Sequence, residues 1–273
     1  MFKPRMLSLS FVTAVLLAGC ADDPGGGLSH GDGAVVHDDA AHDSLAEQGA
    51  PGASIKIHTI DVGAGICVVV EMPDPTQPVL LVDCGQDVWK GAGVSASLVQ
   101  SHARQIIGKR KVALVISHPH SDHYSLVDNV LDQGGSSLEL TTVWLGGSLG
   151  DYHADGDRVF KRLSTFRTQQ PARVHDALPS SYRSPYPAGE PDLTFGAVKV
   201  YVLAVNESVG APVADINGKS MVLLVKHGSF MAVLPGDADG EVQQLAVKHA
   251  KAMGLPLDQV TLLLGAHHGS GTY

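Results

Sequence analysis

Nowhere does the chain gather Lys and Arg into a basic stripe, and this lack excludes a protein that holds nucleic acid by charge alone. Its 19 basic residues are outnumbered by 28 acidic ones, giving a formal net charge of −9. The excess is uneven. Residues 21–54 hold seven acids (Asp22, Asp23, Asp32, Asp38, Asp39, Asp43, Glu47) and neither Lys nor Arg. Only Lys3 and Arg5 are charged before that, so the body from Ser54 onward is mildly acidic. An anionic substrate stays open, because bound metal can supply the missing positive charge. Long apolar runs are also lacking: the stretch from Leu7 to Leu17 is too short for a spanning helix. No internal repeat is present, and cysteine is scarce, with three in 273 residues.

What the N-terminus does contain is a targeting pattern over residues 1–20. Lys3 and Arg5 form a basic region ahead of the apolar stretch. Leu17-Ala18-Gly19-Cys20 resembles the bacterial lipobox, in which the Cys is acylated and becomes the mature first residue. Acylated Cys20 would anchor the chain stably to a membrane. Ala21 after the Cys is similar to lipoproteins released to the outer membrane, which implies an envelope location facing periplasm or exterior. Residues 21–54, rich in Gly and Asp with no aromatic, read as a disordered tether. His30, His37 and His42 sit in it among acids and read as solvated linker residues, with weak metal scavenging as the alternative.

Residues 55–273 read as one domain, and 44% hydrophobic content suits a sizeable core. Two β-rich runs, "GICVVVEMP" and "PVLLVDCG", predict a hairpin turning about residues 73–77. They carry Cys67 and Cys84, which in an oxidising compartment form a disulfide or remain buried thiols; spacing leaves both open. Helical spacing predicts helices over 94–107, around Val159–Phe166, and from a cap at Asp239 to a stop at Gly254. Strands at 112–117, 141–147, 197–205, 220–227 and 229–237, then "QVTLLLG" (259–265), complete an α/β pattern of two sheets with helices outside.

Chemistry-bearing residues gather at the exits of three of these strands. "ISHPHSDHYS" (116–125) places His118, His120, Asp122 and His123 within six positions. Zinc takes neutral imidazole and carboxylate ligands. On extended backbone His118 and His120 face the same way, while Asp122 and His123 reach a second position. Two-metal sites need such neighbouring positions. Asp237 in "VLPGDAD" and His267-His268 in "LLLGAHHGS" stand at the other two exits.

The run His118-Pro119-His120-Ser121-Asp122-His123 matches an HxHxDH signature and resembles the metallo-β-lactamase fold family. "IDVGAG" (60–65), "LLVDCG" (80–85), "NGKSMVLLVKHGSF" (217–230), "LPGDAD" (234–239) and "AHHGS" (266–270) are similar, in order, to its ComEC-type (competence protein) branch. The resemblance spans about residues 55–273. It implies an αββα sandwich: two mixed sheets packed face to face with helices outside. It also implies two zinc ions: His118 and His120 on the first, Asp122 and His123 on the second, Asp237 bridging, His267 closing the set. His268 would meet substrate, with the reverse order of the pair as the alternative. Many relatives add a further His before the bridging Asp. Here His153, His175 and His227 are the candidates, and the ComEC-type pattern places Asn217 near that spot. Ala64 and Ile66 replace the Gln and Asp usual in "DVGQGD". Relatives continue past HHGS with a strand and helix, so the resemblance implies a domain truncated at Tyr273 or closed differently.

The implied activity is zinc-dependent hydrolysis by metal-bound hydroxide, steered by Asp122, on a phosphodiester or related ester. A thioester, ester or lactam hydrolase is the second reading, with Trp89, Trp144 and Tyr152 as pocket walls or ordinary packing. A non-catalytic envelope binding module is the third. The expected partners are a small-molecule or phosphodiester substrate and a membrane reached through the lipid anchor.

Overall fold

The computed structural model describes residues 54–87, 94–133, 136–153, 158–179, 181–182, 189–205 and 216–266. Cys20, the tether up to residue 53, Trp89, His267 and His268 lie outside the described residues. Strands β1 (Lys56–Thr59), β2 (Gly65–Glu71) and β3 (Val79–Gln86) form an antiparallel meander. The predicted β2–β3 turn is present, closed by Asp74, whose Oδ1 accepts from the Thr76 amide at 2.8 Å and hydroxyl at 2.7 Å. Helix α1 (Ala96–Ile107) crosses to β4 (Val112–Ile116), parallel to β3. Val94, expected inside this helix, precedes its Ser95 cap and packs against the core.

Short helices α2 (Ser121–Tyr124) and α3 (Val127–Leu131) follow, then the two-residue strands β5 (Asp132–Gln133) and β6 (Ser136–Ser137). Strand β7 (Leu140–Leu145), helix α4 (Arg158–Gln169) and strand β8 (Val174–His175) complete the first sheet, ordered β1-β2-β3-β4-β7-β8. The second sheet takes β9 (Leu193–Phe195), β10 (Val198–Ala204), β11 (Val222–His227) and β12 (Phe230–Leu234), all antiparallel. Helix α5 (Gly240–Ala252) then returns the chain to β13 (Leu262–Leu263), parallel to β12. The strand expected over 259–265 is thus only two residues long, and its first expected residue, Gln259, ends a 3₁₀ turn, Leu257–Gln259.

Period-two alternation builds the layers. Val68 and Val70 of β2 meet Val200 and Val225 of the second sheet in a core between the sheets. Val69 points the other way, toward Val99 of α1, Val130 of α3 and Leu163 of α4. On the outer face of the second sheet, Leu224 and Met231 pack on Val242 and Ala246 of α5. This is the expected αββα arrangement of two mixed sheets. Strands β3 and β4 are covered on both faces, which explains their unbroken apolar sequences. Each fully buried Leu in them contributes roughly 1.5–3 kcal/mol of burial free energy.

Gly85 in β3 lies under α2: a Cβ there would stand 2.4 Å from both Ser121 O and Tyr124 N. Backbone on both sides cannot yield as a side-chain tip does. Gly85→Ala should therefore cost about 1–3 kcal/mol by overpacking. Urea titration of the variant checks this, and an unchanged midpoint would refute the tight seating of α2.

Candidate metal centre

Strand β4 ends at Ile116, and Ser117 begins the loop that carries the histidines. The Ser117 carbonyl accepts from the Met221 amide at 2.8 Å, joining this strand end to the entry of β11. His118 is fully buried, and His120, half-buried, occupies the N-cap position of α2 with extended backbone. Asp237 arrives from β12 through a turn in which Gly236 has φ +58°. A Cβ on Gly236 would meet Ser117 Cβ and Oγ at 2.8 Å, so glycine serves both the turn and the close approach. Asp239, two residues on, caps α5 by accepting from the Val242 amide at 2.9 Å. Asp237 is thereby fixed between a strand end and a capped helix.

These segments converge. His118 Nε2 lies 3.0 Å from His120 Nδ1 and 3.7 Å from Asp237 Oδ2. The other oxygen, Asp237 Oδ1, lies 3.1 Å from His123 Nε2. Among the described residues, His118, His120 and Asp237 offer ligand atoms all within 4.8 Å of one another. Behind them stands Asp83, 1% exposed and with φ +56°. Its Oδ1 accepts from the Ser117 amide at 2.6 Å, and its Oδ2 from the Ser117 hydroxyl at 2.8 Å. Oδ2 also lies 2.9 Å from His123 Nδ1.

Charge follows this geometry. Burial holds the His118 imidazole well below its ordinary pKa, helped by the neighbouring His123, and it stays neutral with a lone pair to donate. Burial also opposes charge on His123, but Asp83 and Asp237 on its two nitrogens prevail and raise its pKa to about 10. In the metal-free protein the two buried carboxyl groups thus favour a proton on the imidazole between them, which a bound cation would displace. A metal cation would serve the same need at the His118, His120 and Asp237 point, and the imidazole and carboxylate donors fit one such as zinc.

The structure brings together His118, His120, His123 and Asp237, with the two Asp237 oxygens facing histidines expected on different metals. Asp122 lies in the first turn of α2, outside the group of three, and acts on His118 through its charge. Asn217 opens a 3₁₀ turn, Asn217–Lys219, that leads into Ser220 and Met221 against Ser117. His175 instead stacks on Trp144 with centroids 4.1 Å apart, and His153 packs on Phe160 at the same separation. Trp144 and Tyr152 are buried, the Tyr152 hydroxyl donating to Gly146 O at 2.6 Å, so both are packing residues. Sequence reasoning missed Asp83 and Ser117. A lone acid ending the buried run "VLLVD" marks Asp83 as unusual, but nothing in the sequence shows which way it turns.

Residues 60–196, half of the chain, match the family description "Metallo-beta-lactamase superfamily". The chain belongs to this superfamily. No curated protein sequence matches at a significant level. Among solved structures, the chain is similar to the metallo-beta-lactamase fold protein YhfI from Bacillus subtilis (19% identity, TM-score 0.32, 66% of this chain and 57% of that one). It is also similar to the short form of human tRNase Z (14% identity, TM-score 0.40, 77% and 96%). A third is Zn(2+)-bound PqqB from Methylobacterium extorquens (12% identity, TM-score 0.36, 66% and 56%).

In this metallo-beta-lactamase superfamily member, Asp237 and Asp83 should differ in their effect on metal uptake. Asp237→Ala should abolish tight zinc binding, whereas Asp83→Asn should weaken it about 10–100-fold, as loss of an outer partner does. Competition with a chromophoric chelator measures both. Full loading of Asp237→Ala would show that the two distant segments share no metal.

Proposed function

We propose that the chain is a zinc-dependent hydrolase of phosphodiesters or related esters, of the ComEC-type branch, with two adjacent metal positions. The observation that carries this reading is the group of His118, His120 and Asp237 around one point, with Asp237 turned also toward His123. Bound zinc would supply Lewis acidity and a water acidified toward neutrality. The chain's own residues would do the rest. His118 and His120 would hold the first position, and Asp122 and His123 the second. Asp237 would span both, with His267 completing the set and Asn217 standing in for a further imidazole. Asp122 and His268 would orient the water and the substrate.

Lys219 favours an anionic substrate over a neutral ester. A Cβ built on Gly147 would meet Lys219 Cδ at 3.3 Å and Pro119 Cγ at 3.5 Å, so the Lys219 side chain runs beside the His118-Pro119-His120 loop. Its ammonium is held by Asp151 Oδ2 at 3.0 Å, and the side chain as a whole is a quarter exposed. This cation beside the loop is our candidate contact for a substrate phosphate.

Hydrolysis of bis(p-nitrophenyl) phosphate, lost on chelation and restored by zinc, is the expected result; no turnover of it or of p-nitrophenyl acetate would defeat the catalytic reading. One charge-assisted contact is worth about 1.5–3 kcal/mol. Lys219→Met should therefore raise KM for the phosphodiester roughly tenfold and leave the acetate KM alone. An equal rise for both probes would count against an anion contact.

The lipobox-like Leu17-Ala18-Gly19-Cys20 supports a lipid-anchored envelope location. Cys20→Ser should leave an uncleaved precursor or release the protein from membranes in fractionated cells. Recovery of that variant as a mature, detergent-extracted lipoprotein would refute the anchor.

A further inference from the structure

Cys67 and Cys84 are bonded to each other, which decides between the two states their spacing left open. Their position is informative. Cys67 pairs with Cys84 across β2 and β3, but the next residue, Val68, pairs with Val82. Asp83 is the extra residue in between, a β-bulge, and such insertions redirect a side chain. Its φ of +56° is a conformation that a non-glycine residue adopts at a cost, so something must hold it. The bulge is fastened on one side by the disulfide and on the other by the regular ladder from Val82 to Leu80. The Cys84 carbonyl also accepts from the Leu126 amide at 2.9 Å, just past α2. The disulfide therefore sits beside the one residue that holds both Ser117 and His123.

We propose that the Cys67–Cys84 disulfide is a positioning element of the metal centre. It keeps Asp83 bulged toward Ser117 and His123, so that the redox state of the pair and the affinity for metal are linked. The inference rests on reading His118, His120 and Asp237 as a metal centre. Both sulfurs belong to buried residues, 1% and 0% exposed, so reduction requires the strands to part locally. The balanced step is thiol–disulfide exchange: two molecules of a small thiol yield their disulfide and two protein thiols, at Cys67 and Cys84. Without the bond, the unpaired residue is free to slip back into register or turn outward, and His123 loses its fixed partner. Linkage is reciprocal: whatever factor the bond adds to metal affinity, metal adds to the stability of the bond.

Two arms test this. In the first, the Cys67→Ala/Cys84→Ala double variant, which has no thiols in the domain, is titrated with zinc against a chromophoric chelator beside the oxidised wild type. The expected result is about tenfold weaker binding, within the range for lost outer support, with the fold retained by circular dichroism. Equal affinity overturns the proposal. In the second, wild-type protein is equilibrated in glutathione buffers with free zinc clamped high or absent. Zinc should make the pair about tenfold harder to reduce, a shift of about 30 mV. An unmoved potential overturns the linkage even if the double variant fails to fold. The metal-centre reading fails separately, if the oxidised wild type takes up no zinc. The placing of Asp83 is then judged from the metal-free protein, where the Ser117 amide should lose hydrogen-exchange protection in the double variant. Undiminished protection there would refute the positioning role.

Discussion

His123, with a carboxyl group on each ring nitrogen, is the contact on which the site depends. Removing carboxylates from water is expensive unless each is paired and hydrogen-bonded. Asp83 meets that demand with the Ser117 amide, the Ser117 hydroxyl and His123. Asp237 meets it through His123 and, more distantly, His118. Burial would keep the His123 imidazole neutral, and the two acids overrule burial. His118, lacking an Asp83 of its own, stays neutral. Without metal, these histidines of similar burial are therefore electrically unlike, His123 holding a proton between acids and His118 offering a lone pair; a cation at the second position would have to displace the His123 proton.

The fold brings these groups together because strand ends of both sheets meet at Ser117. Strand β4 leads into it, the entry to β11 is bonded to its carbonyl, and the turn after β12 presses on its side chain. Residues far apart in sequence thus share one small volume without any of them having a long flexible reach. Rigid strand ends suit metal ligands, since they need little ordering at the moment of binding.

Much of this was legible beforehand where the determinants are local. The β2–β3 turn rests on Asp74, and α5 starts on its Asp239 cap and ends near Gly254, which has φ +71°. The histidine cluster was visible because its members fall within six positions. The role of Asp83 was not, since it arises from a one-residue register shift against β2, and a shift leaves no mark in the composition of "LLVDCG". The disulfide was undecidable for the same reason: spacing shows that two cysteines lie on paired strands, and only register shows that they are opposite. Strand β13 was overestimated because an apolar run does not show how few of its residues pair with β12; only Leu262 and Leu263 do so in register.

The shortage of cations bears on what such a site can serve. On a mildly acidic domain, an anionic substrate gains nothing from the general field and must be drawn by local charge. Near the metal-binding loop that charge would come from bound zinc and from Lys219, whose ammonium is set by Asp151. Asp151 is in turn held by the Ser148 amide at 2.8 Å and hydroxyl at 3.1 Å. Burial opposes ionisation of its carboxyl, yet these hydrogen bonds and Lys219 hold its pKa below the ordinary range. An acid that remains ionised keeps the lysine in one place, and the ordering of a long side chain, which binding would otherwise have to meet, is largely done in the folded state. The same carboxylate partly offsets the lysine's charge, so recognition there would depend on placement more than on strength.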